Sequence, residues 1–191
     1  LQSGPHLQLA SSVHCKLCHQ THRVPSSDLL FFQLRASRPH PSKNTMPPTI
    51  TSVFHEAQVS FAKHRKCVEA LLASRAAAPD IDAWDDEYFR CVACVLPVYK
   101  REPAAERVIE FIVRFATQHG GDADVDEVFV EKLCMRLLGL VGHKEKAVRF
   151  RAVQLAGRIM NQMDEEAEVS DELFQALKTA MLSRCGDRDT L

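Results

Sequence analysis

Residues 103–116 read PAAERVIEFIVRFA, and residues 147–160, 44 positions further on, read AVRFRAVQLAGRIM. In this register Val108, Ile109, Phe111, Ile112, Phe115 and Ala116 fall on Ala152, Val153, Leu155, Ala156, Ile159 and Met160. Both sets recur at three- and four-residue intervals, so each stretch reads as a helix with one apolar stripe. The same shift carries Val130, Leu133, Leu137 and Leu138 onto Phe174, Leu177, Met181 and Leu182. A two-helix unit returning at this interval buries its stripes by stacking on its neighbours, which predicts an all-α solenoid.

Working outward, Val148-Arg149-Phe150-Arg151-Ala152 fits the V-R-x-x-A pattern typical of the second helix of a HEAT repeat. The expected architecture is therefore a HEAT-repeat α-solenoid of antiparallel helix pairs over residues 50–191, with pairs near 84–119 and 127–163. An irregular helical bundle is the alternative that two copies leave open. The first helix is expected over 52–74, with Phe54, Ala57, Phe61, Val68 and Leu72 on one face and Ser52 as its N-cap. A second is expected over 84–100, opened by Asp82, Asp85 and Asp86 and kinked by Pro97. Pro103 suits the first turn of the third helix, which Gly120 and Gly121 stop. Three more are expected over 128–141, 146–163 and 171–184, the last capped by Ser170.

Composition agrees with helices. The 191 residues include only 7 Gly, about half the usual ~7%, which disfavours hairpin-rich folds and phosphate-cradling Gly loops. At this length a single core needs no metal or disulfide staple. No apolar run approaches the roughly 18 residues of a membrane span. Residues 1–45 hold five basic residues and one acid, a net charge of +4 against −5 for the remainder, together with five of the nine His. Rich in Ser and Pro and without a helical period, this extension reads as disordered, and Met46 reads as a candidate start.

Several chemical-looking clusters lack the context their chemistry needs. His14-Cys15-x-x-Cys18-His19-x-x-His22 offers soft ligands but no second Cys pair, and reads as tail composition. Asp122-x-Asp124-x-Asp126 has Glu127 and Leu133 where a calcium loop needs Gly and Glu. Gly139-x-x-Gly142-His143-Lys144 follows a helix and has the wrong spacing for a P-loop. Cys67, Cys91, Cys94 and Cys134 sit in apolar helical patterns, where a reduced thiol packs as a small hydrophobe. Cys91-x-x-Cys94 is mid-helix, away from the helix N-terminus that activates redox pairs. His64, between Phe61 and Val68, reads as a core or boundary histidine. With no G-x-S-x-G elbow and no H-E-x-x-H, the sequence does not read as an enzyme, and it implies no cofactor.

The stretch VYKREPAAERVIEF (98–111), followed by AVRFR (147–151) and DELFQALKTAMLSR (171–184), is similar to the CAP-G class of HEAT-repeat, non-SMC condensin subunits. VFHEAQ from Val53 fits the start of the same family, so the resemblance spans 53–184, while 1–45 and 185–191 lie outside it. Family members are several times longer, so the chain looks like an N-terminal fragment. The resemblance implies a non-catalytic condensin subunit of nuclear chromosomes, in part of the cell cycle also cytoplasmic, acting in mitotic chromosome condensation. It further implies binding to the kleisin subunit (CAP-H), through it to SMC ATPases, and a grip on double-stranded DNA in a positively charged groove. The residues alone give a helical repeat domain whose default reading is a protein-only HEAT scaffold of importin-like or phosphatase-regulatory type, which the charge of −5 after Met46 mildly favours.

If DNA is gripped, the expected surface is a ladder of basic side chains on successive second helices. Arg107 and Arg114 are seven apart, as are Arg151 and Arg158, and the 44-residue shift carries the first pair onto the second. Lys100 and Arg101 sit at the turn entering the first of these helices, and Lys63 and Lys66 extend the row. Such a row suits phosphates rather than base edges. Arg114 is expected to pair in part with Glu110, and Arg149, placed in the apolar arc near Ala156 and Met160, is expected to be a structural arginine.

Overall fold

A computed structural model describes residues 48–98, 102–118, 127–163 and 169–185. The extension 1–45 with its Cys-His cluster, the acidic run 122–126, and Lys100 and Arg101 lie outside the described residues. Among those described there are seven α-helices and no strand: α1 Ile50–Ala57, α2 His64–Ala76, α3 Ile81–Ala93, α4 Pro103–Ala116, α5 Glu127–Leu138, α6 Lys146–Gln162 and α7 Asp171–Cys185.

The helix starts follow local chemistry. Asp80 Oδ1 accepts from the Ala83 N–H at 3.0 Å, and Ser170 Oγ accepts from the Leu173 N–H at 3.2 Å, each satisfying a first-turn donor. Pro103 stands in the first turn of α4, where its missing N–H costs nothing. Thr49, not Ser52, caps α1: its Oγ1 accepts from the Ser52 N–H at 3.2 Å, while Ser52 Oγ donates back to the Thr49 carbonyl at 2.7 Å.

Two expectations fail here. The first helix is interrupted at residues 58–60 and becomes α1, a single 3-10 turn at Phe61–Lys63, and α2. Ser60 is extended (φ −160°, ψ 140°) and its Oγ caps the Ala62 N–H, so the chain folds back and α1 packs on α2. Phe61 is consequently 55% exposed instead of buried. The second helix ends at Ala93, before the turn that holds Pro97, and Cys94 at its end is exposed, unlike buried Cys67, Cys91 and Cys134.

The helices form a HEAT-like solenoid of two rows. In one row α1 packs on α3 and α5 on α7; in the other α2 packs on α4 and α4 on α6. The rows are tied at the centre by Tyr88 of α3, which is fully buried. Its ring lies 5.4 Å from Phe54 of α1, 5.6 Å from Trp84, 6.1 Å from Phe89, 5.0 Å from Phe115 of α4 and 5.3 Å from Phe129 of α5. The Trp84 ring is stacked on it and the others meet it edge-on or tilted, and ring pairs at these distances add to the energy of apolar burial.

Ion pairs fix the register of neighbouring first-row helices. Lys132 Nζ of α5 lies 2.7 Å from Asp82 of α3, and one turn on Arg136 lies 2.5 Å from Asp86 while its guanidinium covers the Phe89 ring at 4.1 Å. Asp85, buried beneath them, pairs with Arg75 of α2 at 3.0 Å and with Lys132 at 3.5 Å. At α7 the pattern opens: Phe174 is 53% and Leu182 65% exposed, although the residues 44 earlier, Val130 and Leu138, are buried. No described helix covers α7 as α6 covers α5.

Candidate nucleic-acid interface

The expected ladder lies on α4 and α6, and stacking these helices redirects most of it inward. Arg151 is 1% exposed. Its Nε donates to the Val98 carbonyl at 2.9 Å, and its Nη1 donates to Glu106 Oε1 of α4 and to Gln154 Oε1, both at 2.7 Å. Assigning Arg151 to a phosphate contact is therefore wrong, because a guanidinium enclosed on all sides cannot meet a solvated polyanion. Arg107, its counterpart 44 residues earlier, is half-buried and donates from Nε to the Gln58 carbonyl at 2.5 Å. The repeat shift thus relates two arginines that each bind a backbone carbonyl beyond a first-row helix.

The remaining members divide by what they touch. Arg158 Nη1 lies 3.6 Å from Glu110 Oε2, so the acid expected to pair with Arg114 on its own helix faces α6 instead. Lys63 Nζ is bound to Glu56 Oε1 at 3.0 Å. Arg149 is half-buried, and its Nη1 donates to the carbonyls of His143 at 2.9 Å and Lys144 at 3.0 Å. It latches the turn between α5 and α6, and the arginine of the interior is Arg151. Arg114 and Lys66 are exposed and make no ion pair among the described residues.

One basic residue outside the expected set joins them. Arg65 of α2 and Arg114 of α4 line an open groove of about 420 Å³ together with Val68, Glu69, Leu72 and Gln118. Arg65 Nε lies 3.0 Å from Glu69 Oε1, with the arginine side chain 89% exposed. The helix broken at 58–60 obscures this residue in the sequence, since a single 52–74 helix sets α2 in the wrong rotation. The run Lys63-His64-Arg65-Lys66 is the available signal.

Behind this groove His64 is completely buried. Its Nε2 donates to the Ala57 carbonyl at 3.1 Å, which leaves Nδ1 buried without a hydrogen-bond partner, and its ring meets Phe61 and Phe111 at 5.2 and 5.6 Å. Burial pushes its pKa below the ordinary histidine value; the Ala57 carbonyl opposes this, Arg114 and Arg107 reinforce it, and Glu110 opposes it. Because the folded-state pKa is depressed, the unfolded chain takes up this proton first. Stability is then full above about pH 6.5 and falls as pH drops below it, by up to about 1.4 kcal/mol per pH unit until the folded pKa is reached. Urea unfolding at stepped pH checks this: His64→Gln should flatten the decline below pH 6.5, and an unchanged slope would show that other groups cause it.

Among the described residues no cluster of three metal-ligating side chains occurs, and no helix is long and apolar enough to cross a membrane. Burial raises the thiols of Cys67, Cys91 and Cys94, and that of Cys134 to about 12, the opposite of an activated cysteine.

No protein-family profile matches the chain. Condensin complex subunit 3 from Xenopus laevis and from Homo sapiens are each 34% identical to it over 146 residues, covering 73% of this chain and 14% of the relative. The subunit of the same name from Schizosaccharomyces pombe is 29% identical over 140 residues, 73% of this chain and 15% of the relative. The chain thus spans 14–15% of the length of these curated relatives. Across almost three quarters of its own length, this HEAT-like stack is similar to one stretch of condensin complex subunit 3 from animals and yeast.

Proposed function

We propose that the chain is part of a CAP-G class HEAT-repeat subunit of condensin, non-catalytic, which binds the kleisin subunit and through it the SMC ATPases. It acts on nuclear chromosomes during mitotic condensation and holds the backbone of double-stranded DNA. The observation that carries this reading is the 146-residue similarity to condensin complex subunit 3, which is long enough to run through several helices of the stack. A solenoid suits the task, since stacked pairs present a long continuous surface to an extended partner. DNA held in this way is gripped without sequence preference, through phosphates alone. The test is capture from mitotic extract on the tagged chain, with identification of what is retained. A kleisin with two SMC ATPases is the expected result. Retention of importin cargo or a phosphatase catalytic subunit, with no kleisin, would replace this reading with that of a protein-only scaffold.

A further inference from the structure

We infer that His64 makes the corner between α1 and α2 an acid-released latch, in which proton uptake swings out the turn at 58–63 while the rest of the stack stays packed. Three elements meet on this buried ring. Its Nε2 donates to the Ala57 carbonyl at the end of α1, the Phe61 ring of the turn lies 5.2 Å away, and the Phe111 ring of α4 lies 5.6 Å away. Nδ1 is buried without a hydrogen-bond partner, so a proton placed on it would create a buried donor with no acceptor. The charge would also be poorly compensated. From α4, Arg114 and Arg107 oppose it and Glu110 favours it. His64 opens α2, so the positive end of that helix opposes it too, and Lys63, Arg65 and Lys66 flank it in the chain. Glu56 of α1 is already bound to Lys63 at 3.0 Å, and burial pushes the Cys67 thiol up, so it stays neutral. The proton is therefore taken up when the ring reaches water.

The route to water runs through the turn. Phe54 locks α1 into the core, its ring 5.4 Å from Tyr88 and 5.5 Å from Phe111 of α4. The 3-10 turn Phe61–Lys63 has no buried residue, and Phe61 is already 55% exposed. Its region is tied down by the Ser60 cap on the Ala62 N–H, the Lys63–Glu56 pair and the Arg107 bond to the Gln58 carbonyl. Segments held by exposed bonds and little apolar burial open before the core does. Moving Phe61 aside frees His64 and leaves the rings around Tyr88 in place. The open form titrates near the ordinary histidine value of 6.5 and the closed form below it, so the latch is shut at neutral pH. Its opening constant rises as pH falls below about 6.5, by up to about tenfold per pH unit until the closed form itself titrates.

The test is amide hydrogen exchange of the 191-residue chain across this pH range, corrected for the intrinsic pH dependence of exchange, beside an NMR titration of the histidine rings. Amides at 58–67 should lose protection as pH falls below about 6.5, while those of α3, α4 and α5 keep theirs, and the His64 ring should titrate below the ordinary value. His64→Gln should abolish the acid-dependent loss. His55→Gln, which removes the neighbouring ring that accepts from Gln58 Nε2 at 3.1 Å, should retain it. Phe61→Ala gives a second reading that leaves the packed site intact, because this side chain is largely in water. It should loosen 58–67 at neutral pH and bring the His64 titration up toward the ordinary value. Protection at 58–67 that does not change with pH would overturn the latch. So would an equal loss in α3, α4 and α5, which is global unfolding, or a wild-type His64 that titrates at or above the ordinary value.

Discussion

Arg151→Ala is expected to destabilise the fold by about 3–5 kcal/mol, read as a lowered urea midpoint or melting temperature. Three acceptors lose their donor together: the Val98 carbonyl, Glu106 Oε1 and Gln154 Oε1. The Val98 carbonyl belongs to the segment that leads from α3 to α4, Glu106 to α4, and Gln154 to α6, so one side chain holds three parts of the stack. Removing it also leaves a void the size of an arginine between close-packed helices, which adds a cavity cost to the lost bonds. Arg151→Met should cost less, because it refills much of the volume while leaving the acceptors unpaired. A variant that melts like wild type yet loses duplex affinity would return Arg151 to the DNA surface.

Tyr88 should behave differently in its two natural truncations. Tyr88→Ala removes the ring against which Phe54, Trp84, Phe89, Phe115 and Phe129 pack, and a cost of about 3–5 kcal/mol is expected. Tyr88→Phe removes only a hydroxyl that is buried without a hydrogen-bond partner. Such a group costs roughly 1–3 kcal/mol to bury, so the phenylalanine variant should equal or exceed the wild type in stability. A loss above about 1 kcal/mol in Tyr88→Phe would mean that the hydroxyl has an acceptor after all.

The contrast between what the sequence announces and what it hides follows from the range of the forces involved. The stripe on residues 108–116 and its echo at 152–160 are local periodicities, and α4 and α6 form where those stripes run. Pro103 and Ser170 act within a single turn, so their positions are readable one residue at a time. The break at residues 58–60 is not, because apolar spacing at Phe54, Ala57, Phe61 and Val68 runs on through it. Only packing of α1 against α2 decides that the chain turns there. The ladder misleads for a related reason. A helical wheel places Arg107, Arg151 and Arg158 on a polar face, but it cannot report that Gln58, Glu106 and Glu110 sit opposite once the helices stack. Arg65 is visible as a basic residue, and its alignment with Arg114 exists only across the α2–α4 contact.

The unequal joints of the stack set how it bends. Where α1, α3, α4 and α5 meet, flat rings fill the seam around Tyr88. At α7 the seam against the rest of the stack holds aliphatic side chains in place of rings: Leu173 and Ala180 are buried, Ala176 and Leu177 are partly buried, and Ser170 donates an exposed hydrogen bond to Glu131. Tension passing along such a chain of nearest-neighbour contacts is taken up at its most compliant joint. Curvature would therefore change outside the aromatic seam, which stays stiff, so that a load pulling on this part of the molecule moves the helices around Tyr88 as one block.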